Sequence, residues 1–216
     1  MYRPQADTWL LARTLRDVPG LRGGRVLDVC AGTGALTLAA AAAGAGSLTA
    51  VDLSRSALMS TWMNCRLRGI AVELLHGDFA SARRLPRFDV VLANPPYVPA
   101  AEPGARGAAL AWDAGPDGRS VLDRLCATLP DLLTDHGVGL IVHSAVSGTQ
   151  RSLDQLREFG VHARVVAEGT VPFGPVMRSR AGWLAAKGFI RPGQTEEELV
   201  VIRVDRTQSP VVADPA

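Results

Sequence analysis

The sequence lacks the features that would point to a membrane protein or a disulfide-stabilised secreted protein. No apolar run reaches the roughly twenty residues that a membrane-spanning helix requires, and the first residues show no apolar signal segment. The three cysteines are scattered and lack the paired spacing of a zinc site or a disulfide framework. These absences predict a cytoplasmic protein with reduced cysteines, no bound metal and no membrane partner.

A strong excess of positive charge is also missing. The formal net charge is +2, whereas proteins that bind duplex nucleic acid usually present a basic surface to the phosphates. Lys187 is the only lysine among 23 basic residues, a bias that genome composition explains more simply than an anion-binding surface. What the chain does have is 216 residues with 47% hydrophobic content, enough for the core of one large domain.

Apolar segments of strand length alternate along the chain with segments of helical periodicity. Helices are predicted at residues 7–16, 35–43, 54–67, 120–133 and 149–159, with Pro130 kinking or splitting the fourth. Strands are predicted at residues 25–29, 47–51, 72–75, 88–93, 138–143, 162–167 and 198–204. This alternation indicates a Rossmann-like α/β domain over residues 1–205, with a helical insertion at 171–195 and a flexible tail at 206–216.

Polar residues or glycines follow each of the first four predicted strands. The first strand leads into a glycine turn at residues 28–34, the second ends at Asp52, the third is followed by Asp78, and the fourth by Asn94. Ligands of an open α/β sheet bind at the carboxyl ends of its strands, where the winding reverses. The convergence of these four strand ends therefore predicts a cofactor site, although each feature alone would be an ordinary turn or helix cap.

The glycine turn departs from the fingerprint of dinucleotide-binding proteins. Counted from Gly32, the sixth position is Thr37 rather than glycine, so the pattern does not suit a pyrophosphate. S-adenosylmethionine has no phosphate and is the cofactor that this departure favours. Asp52 is expected to bind both ribose hydroxyls, and Asp78 the adenine amino group with Phe79 packed on the ring. The other residues predicted to contact the cofactor are Asp28, Cys30, Ala31, Gly32, Gly34, Leu53 and Asn94.

The fourth strand runs directly into Asn94, Pro95, Pro96 and Tyr97, which we call the Asn-Pro-Pro-Tyr loop. An amide or exocyclic amino nitrogen is a weak nucleophile because its lone pair is delocalised. Hydrogen-bond acceptors aimed at both of its N–H groups would activate it, and the Asn94 side chain and Pro95 carbonyl are suitable. The loop thus predicts N-methylation of a planar NH2 group without a metal or an obligatory base. Tyr97 is expected to pack on the substrate, as is Trp112, for which plain structural packing is an equally good interpretation.

On these motifs the sequence resembles the HemK family of protein glutamine-N5 methyltransferases, in its short branch without an N-terminal helical domain. The resemblance also covers residues 2–8 (YRPQADT) and 111–119 (AWDAGPDGR). It implies the class I methyltransferase fold, a seven-stranded mostly parallel sheet with an antiparallel last strand and a helical insertion before it. It further implies a glutamine of a release factor as substrate, Thr8 over the methionine end of the cofactor, and a small zinc-binding activator protein as partner.

Two departures from the family leave the substrate open. Ala6 stands where the family usually has glutamate, and residues 172–193 have no counterpart in the short branch. One alternative is therefore N-methylation of a small molecule or tailored peptide, with residues 172–193 as a lid. Another is methylation of an adenine or cytosine amino group, which the near-neutral charge disfavours, although an RNA single strand stays open. A non-catalytic binding module fits least well because the Asn-Pro-Pro-Tyr loop is intact.

Overall fold

The computed structural model describes residues 4–101 and 107–206, in which seven strands and six α-helices alternate. The strands are β1 (Arg25–Val29), β2 (Ser47–Asp52), β3 (Glu73–His76), β4 (Phe88–Ala93), β5 (Leu133–Ser144), β6 (His162–Pro172) and β7 (Glu196–Asp205). The α-helices are α1 (Ala6–Thr14), α2 (Ala35–Ala42), α3 (Arg55–Arg66), α4 (Ser120–Leu132), α5 (Thr149–Glu158) and α6 (Pro175–Ala186). No helix in the described ranges combines the length and apolarity needed to cross a membrane.

The strands form one sheet in the order β3-β2-β1-β4-β5-β7-β6. Strands β1 to β5 pair in parallel, while β7 pairs antiparallel with both β5 and β6. The predicted seven-stranded sheet with an antiparallel last strand and a helix before it is confirmed. The winding reverses at β1, which lies between β2 and β4, so a crevice opens over the carboxyl ends of these strands.

The central strands are apolar on both faces because helices cover the sheet on each side. In β4, Val91 and Ala93 belong to one hydrophobic core, whereas Val90 and Leu92 belong to the other. Helices α4, α5 and α6 contribute to the first core, and α1 and α2 to the second. This two-sided burial explains why β1 and β4 are near-continuous apolar runs rather than alternating patterns.

The edges of several elements differ from the sequence-based expectation. Strand β5 begins at Leu133, and β6 extends to Pro172, which pairs with Glu196 of β7. Main-chain pairing with the neighbouring strands holds these extensions. Along the extension of β6, partly buried side chains alternate with exposed ones, so no apolar run marks it in the sequence. Pro130 lies inside α4 near its C-terminal end and does not split the helix, contrary to one of the two outcomes predicted for it.

The predicted insertion contains α6, which begins with Pro175 at its first turn and follows the N-cap residue Gly174. Proline suits this position because its missing N–H would have no partner inside the helix. Tyr2 and Arg3, which contribute to the family resemblance, lie outside the described residues, as does the predicted tail beyond Arg206.

Candidate active site

A cavity of about 630 Å³ lies over the carboxyl ends of the central strands. It is bounded by the N-terminal part of α1, the turns after β1, β2 and β3, the loop after β4, and the segment from the end of β6 into α6. All but two of the predicted site residues line this cavity: Thr8, Cys30, Ala31, Gly32, Asp52, Leu53, Asp78, Phe79, Asn94, Pro95, Pro96, Tyr97 and Trp112.

Asp28 is one of the two exceptions, because it is not among the residues that line the cavity. Its side chain is buried beneath the turn, where Oδ2 accepts hydrogen bonds from the Thr37 amide at 2.9 Å and the Thr37 hydroxyl at 2.6 Å. Burial raises the pKa of Asp28 to about 7, although both Thr37 bonds favour the carboxylate. Asp28 therefore fastens β1 to the first turn of α2 from behind the site.

Gly34 is the second residue that does not line the cavity. A glycine is required there because helix α3 packs directly against it. Its φ angle is +78°, and a Cβ added there would lie 2.8 Å from Cγ2 of Thr61 in α3. The same helix holds the turn through two further bonds, from the Thr61 hydroxyl to the Gly32 carbonyl at 3.2 Å and from Asn64 Nδ2 to the Thr33 carbonyl at 2.9 Å. Sequence reasoning missed Thr61 and Asn64, which face the turn only when α3 packs against α2.

Cys30 occupies a strained position at the cavity wall. Its φ is +58°, a value that no other non-glycine residue adopts in the described part of the chain. The left-handed conformation costs a residue with a Cβ about 1 kcal/mol or more. Burial raises the pKa of the thiol, and the nearby carboxylate of Asp52 adds to that effect, so Cys30 stays protonated. An uncharged side chain of modest size is therefore presented to the cavity.

Asp52 joins the glycine turn to the end of β2 and keeps acceptor capacity for a ligand. Its Oδ2 accepts from the Gly32 amide at 2.9 Å, and its Oδ1 accepts from the Ser54 amide at 2.8 Å. A carboxylate has about four acceptor positions, so these two bonds fix its orientation without exhausting it. A carboxylate held this way at a strand end suits the vicinal hydroxyls of a ribose.

The far end of the cavity combines a flat apolar ring with a carboxylate. Phe79 is buried, and the guanidinium of Arg124 lies 5.3 Å from the centre of its ring. Asp78 accepts from the Ala80 amide at 2.9 Å through Oδ1 and forms a salt bridge with Arg124 through Oδ2. This ring and carboxylate suit an adenine. Arg124 comes from α4, so its participation could not be read from the strand-end pattern.

Thr8 determines which end of the Asn94 side-chain amide faces the cavity. The Thr8 hydroxyl donates its single proton to Oδ1 of Asp7 at 3.1 Å, and it therefore accepts from Nδ2 of Asn94, also at 3.1 Å. With Nδ2 committed to Thr8, the acceptor Oδ1 of Asn94 is left for a substrate N–H. The Thr8 amide also donates to Asp7 at 2.6 Å, which fixes the start of this chain of bonds.

Tyr97 is held at both ends. Its hydroxyl donates to Oδ2 of Asp7 at 3.0 Å, and its carbonyl accepts from the Ser147 hydroxyl at 2.6 Å. Asp7, which is 2% exposed, thus supports both the first and the last residue of the Asn-Pro-Pro-Tyr loop. Sequence reasoning did not assign Asp7 a role, because its partner Tyr97 is 90 positions away.

The end of β6 and helix α6 form one wall of the cavity. Pro172, Pro175 and Met177 line the cavity, and Met177 is also part of the core below it. Arg180 anchors the helix by donating to the Pro99 carbonyl at 2.9 Å and by a salt bridge with Asp113. The loop after the Asn-Pro-Pro-Tyr loop and the predicted insertion therefore meet at one side of the site.

The sheet order and this cavity define a class I, S-adenosylmethionine-dependent methyltransferase. The retained acceptors of Asp52, the buried Phe79 ring and the close-packed glycine turn fit S-adenosylmethionine, whose nucleoside they would hold. The model of the methyltransferase small domain family matches residues 4–111, and the chain belongs to that family.

Individual relatives agree with this assignment. The chain is 32% identical over 179 residues to a putative protein N5-glutamine methyltransferase of Methanocaldococcus jannaschii, covering 82% of this chain and 89% of the relative. It is 34% identical over 146 residues to the release factor glutamine methyltransferase of Deinococcus radiodurans, covering 64% of this chain and 52% of the relative. These likenesses support the resemblance to the HemK family.

A solved structure with a similar fold is that of the Mtq2–Trm112 complex of E. cuniculi, described as responsible for the methylation of the eRF1 translation termination factor. The TM-score is 0.66 at 22% identity, with 95% of this chain and 98% of that chain covered. At this identity the match shows the fold, which agrees over nearly the whole chain.

Proposed function

We propose that this enzyme methylates the side-chain amide nitrogen of a glutamine in a protein substrate of the release-factor type. The observation that carries the proposal is the orientation of Asn94, whose Nδ2 is committed to Thr8 so that its Oδ1 can accept from a substrate N–H. The relatives named as glutamine methyltransferases support the same substrate class. The Mtq2–Trm112 complex, described as acting on eRF1, supports it at the level of the fold.

The residues of the Asn-Pro-Pro-Tyr loop would activate and position the amide. Asn94 Oδ1 and the Pro95 carbonyl accept hydrogen bonds from its two N–H groups, which raises electron density at nitrogen. Tyr97, fixed through Asp7 and Ser147, confines the plane of the group. S-adenosylmethionine supplies a methyl group on a positively charged sulfur, so that an N–C bond forms as the C–S bond breaks. The displaced proton leaves nitrogen for solvent, and no residue need hold it beforehand.

A second candidate is a small molecule or a tailored peptide. It is favoured by the wall that the end of β6 and α6 add to the cavity, because Pro172, Pro175 and Met177 narrow the substrate side. The same wall is compatible with a single extended loop of a protein that presents one side chain. The two candidates therefore differ in the size of the substrate beyond the methylated group.

The substrate class can be tested by transfer of a labelled methyl group. Purified enzyme and labelled S-adenosylmethionine are incubated with extract of the source cells, and the products are treated with protease or nuclease. Label in protease-sensitive material that survives nuclease is expected. A recombinant release factor then serves as substrate, with a variant carrying asparagine in place of the loop glutamine as the matched control. Label in nuclease-sensitive material or in small molecules would refute the glutamine assignment.

The proposal includes a small activator protein that covers an exposed apolar surface on α3. We define the α3 surface by its exposed residues Met59, Trp62 and Met63, with Leu67 just beyond the helix. Beside it lies β3, which forms the edge of the sheet in the described residues. An apolar surface beside an open strand edge is typical of protein contacts. The Trm112 subunit of the E. cuniculi complex supports a partner of this kind.

Co-expression with the candidate activator tests this part of the proposal. Trp62→Arg should abolish co-purification, whereas Phe159→Arg, at a residue of similar exposure just after α5 (45% against 42%), should leave it intact. Equal retention in both variants would contradict the α3 surface as the contact, and metal analysis of the complex tests whether the partner binds zinc. The proposal also places the enzyme in the cytoplasm, where reduced thiols such as the unpaired Cys65 and Cys126 persist.

A further inference from the structure

Glu197 lies in the wall of the active-site cavity although nothing in the methyl-transfer geometry uses it. It is near the start of β7, and because β7 is antiparallel to β5, its first residues lie beside the carboxyl end of β5. The register shows this directly, since Leu199 pairs with Ser144, the last residue of β5. The start of β7 thus shares the edge of the sheet at which the Asn-Pro-Pro-Tyr loop emerges.

The sheet order places Glu197 on the substrate side of the cavity. Strands β1, β2 and β3, whose ends carry the cofactor-type residues, lie on one side of β4, whereas β5 and β7 lie on the other. Strand β7 is two positions from β4, which corresponds to about 10 Å. An extended peptide covers that distance in about three residues. Glu197 is therefore within reach of residues that neighbour the methylated side chain.

The carboxyl group of Glu197 is half-satisfied. The residue is 6% exposed, the Ser144 hydroxyl donates to one carboxyl oxygen, and Oε2 is buried without a hydrogen-bond partner. Burial raises the pKa of Glu197, the Ser144 bond opposes this, and the nearby Asp7 adds to it. Leaving such an acceptor unpaired costs about 1–3 kcal/mol of stability. Glu196 and Glu198 on the same strand avoid this cost because they are exposed to solvent.

We propose that Glu197 is a substrate-binding residue whose Oε2 accepts a hydrogen bond from a peptide N–H beside the methylated glutamine. This inference rests on the proposed function, because it names a peptide donor. The Ser144 bond orients the carboxyl group and favours its ionised form, and a bond from an N–H to a charged oxygen is roughly twice as strong as a neutral one. Substrate binding would then satisfy a buried oxygen that folding leaves without a hydrogen-bond partner.

The test compares Glu197→Gln with Glu198→Gln, a matched control on the exposed face of the same strand. Glu197→Gln should raise KM for the release factor about tenfold, change kcat by less than about threefold and leave the Kd of S-adenosylmethionine unchanged. Glu198→Gln should match the parent in all three. Thermal unfolding of both variants verifies that they are folded, and Glu197→Asp, which keeps the charge, should recover part of the lost affinity.

Three different results would overturn the inference. If the parent labels the release factor and Glu197→Gln shows the same KM, Glu197 does not bind the substrate while the proposed function stands. If S-adenosylmethionine affinity falls in step with KM, the residue acts through the cofactor side instead. If the parent fails to label the glutamine at all, the proposed function itself is refuted, and the peptide donor assigned to Glu197 is refuted with it.

Discussion

Nδ2 of Asn94 donates to the hydroxyl of Thr8 across 3.1 Å, joining two residues 86 positions apart in the chain. Because that hydroxyl gives its own proton to Asp7, the direction of the Asn94 bond is fixed. Thr8 thereby leaves Oδ1 of Asn94 as the acceptor that the Asn-Pro-Pro-Tyr loop can offer to a ligand in the cavity. Thr8 was predicted from family resemblance to lie over the cofactor, and the structure adds this positioning role at the cavity.

Replacement of Thr8 tests the positioning role. Thr8→Val keeps the shape of the side chain but removes the hydroxyl. The Asn94 side-chain amide then loses the hydrogen bond, worth about 1 kcal/mol, that favours the orientation with Oδ1 as the free acceptor. We expect kcat to fall about 5- to 10-fold with little change in the Kd of S-adenosylmethionine. Thr8→Ser retains the hydroxyl and should keep most of the activity. Full activity in Thr8→Val, or a loss in Thr8→Ser as large as that in Thr8→Val, would contradict a role for the hydroxyl alone.

The division between catalytic and cofactor residues predicts opposite effects for Asn94 and Asp52. Asn94→Ala removes an acceptor that acts on the reacting nitrogen, so kcat should fall about 100-fold or more while cofactor affinity is retained. Asp52→Ala should instead weaken cofactor binding about tenfold or more, as measured by calorimetry. Similar loss of cofactor binding in the two variants would contradict these roles.

Gly34 allows a comparison that separates backbone strain from crowding. Gly34→Ala places a Cβ at φ +78° and within 2.8 Å of Thr61, whereas Gly69→Ala has a similar φ of +68° and nothing within 4 Å. Strain alone should cost about 1–2 kcal/mol in each, and crowding should add about 1–3 kcal/mol at Gly34. Urea unfolding of both variants measures the difference. Equal destabilisation would mean that α3 moves away without cost.

The burial of His143 leads us to expect that the free energy of unfolding depends on pH. His143 is buried, its ring nitrogens contact the Ser144 carbonyl and the Ser152 hydroxyl, and burial lowers its pKa to about 4 from the ordinary 6.5. As pH falls from 6.5 to 4, the unfolded chain takes up a proton that the folded protein does not. His143 therefore withdraws up to about 3 kcal/mol of stability across this range. Unfolding at several pH values should show this slope reduced in His143→Gln.

Asp28 should change stability with pH in the direction opposite to His143, and it therefore serves as a control. Its folded pKa of about 7 exceeds the ordinary 3.8, so its contribution to stability is complete below pH 3.8 and is lost as pH rises towards 7. Asp28→Asn should remove that loss and make the variant relatively more stable at the upper end of the range. Variants of His143 and Asp28 that changed the pH profile in the same direction would contradict the buried environments described here.

Much of the fold and part of the site could be predicted because they depend on local patterns. The apolar runs of β1 and β4, the glycine turn, and the polar residues after each strand are properties of short segments. Parallel strands align their carboxyl ends at one edge, so the local predictions converged on one place. The sequence did not show that Asp28 bonds Thr37 and that Gly34 packs against Thr61, both outside the cavity lining, because it does not reveal which face of a buried turn meets the cavity.

The sequence by itself determined the alternation of strands and helices, the site at the strand ends and the Asn-Pro-Pro-Tyr loop, because each follows from residues close together in the chain. Only the tertiary structure decided that Asp7 holds Tyr97, that Arg124 covers Phe79, and that Glu197 lines the cavity with one buried carboxyl oxygen left unpaired. Those relationships join distant segments, and packing and burial, rather than local residue preference, fix which side chains meet.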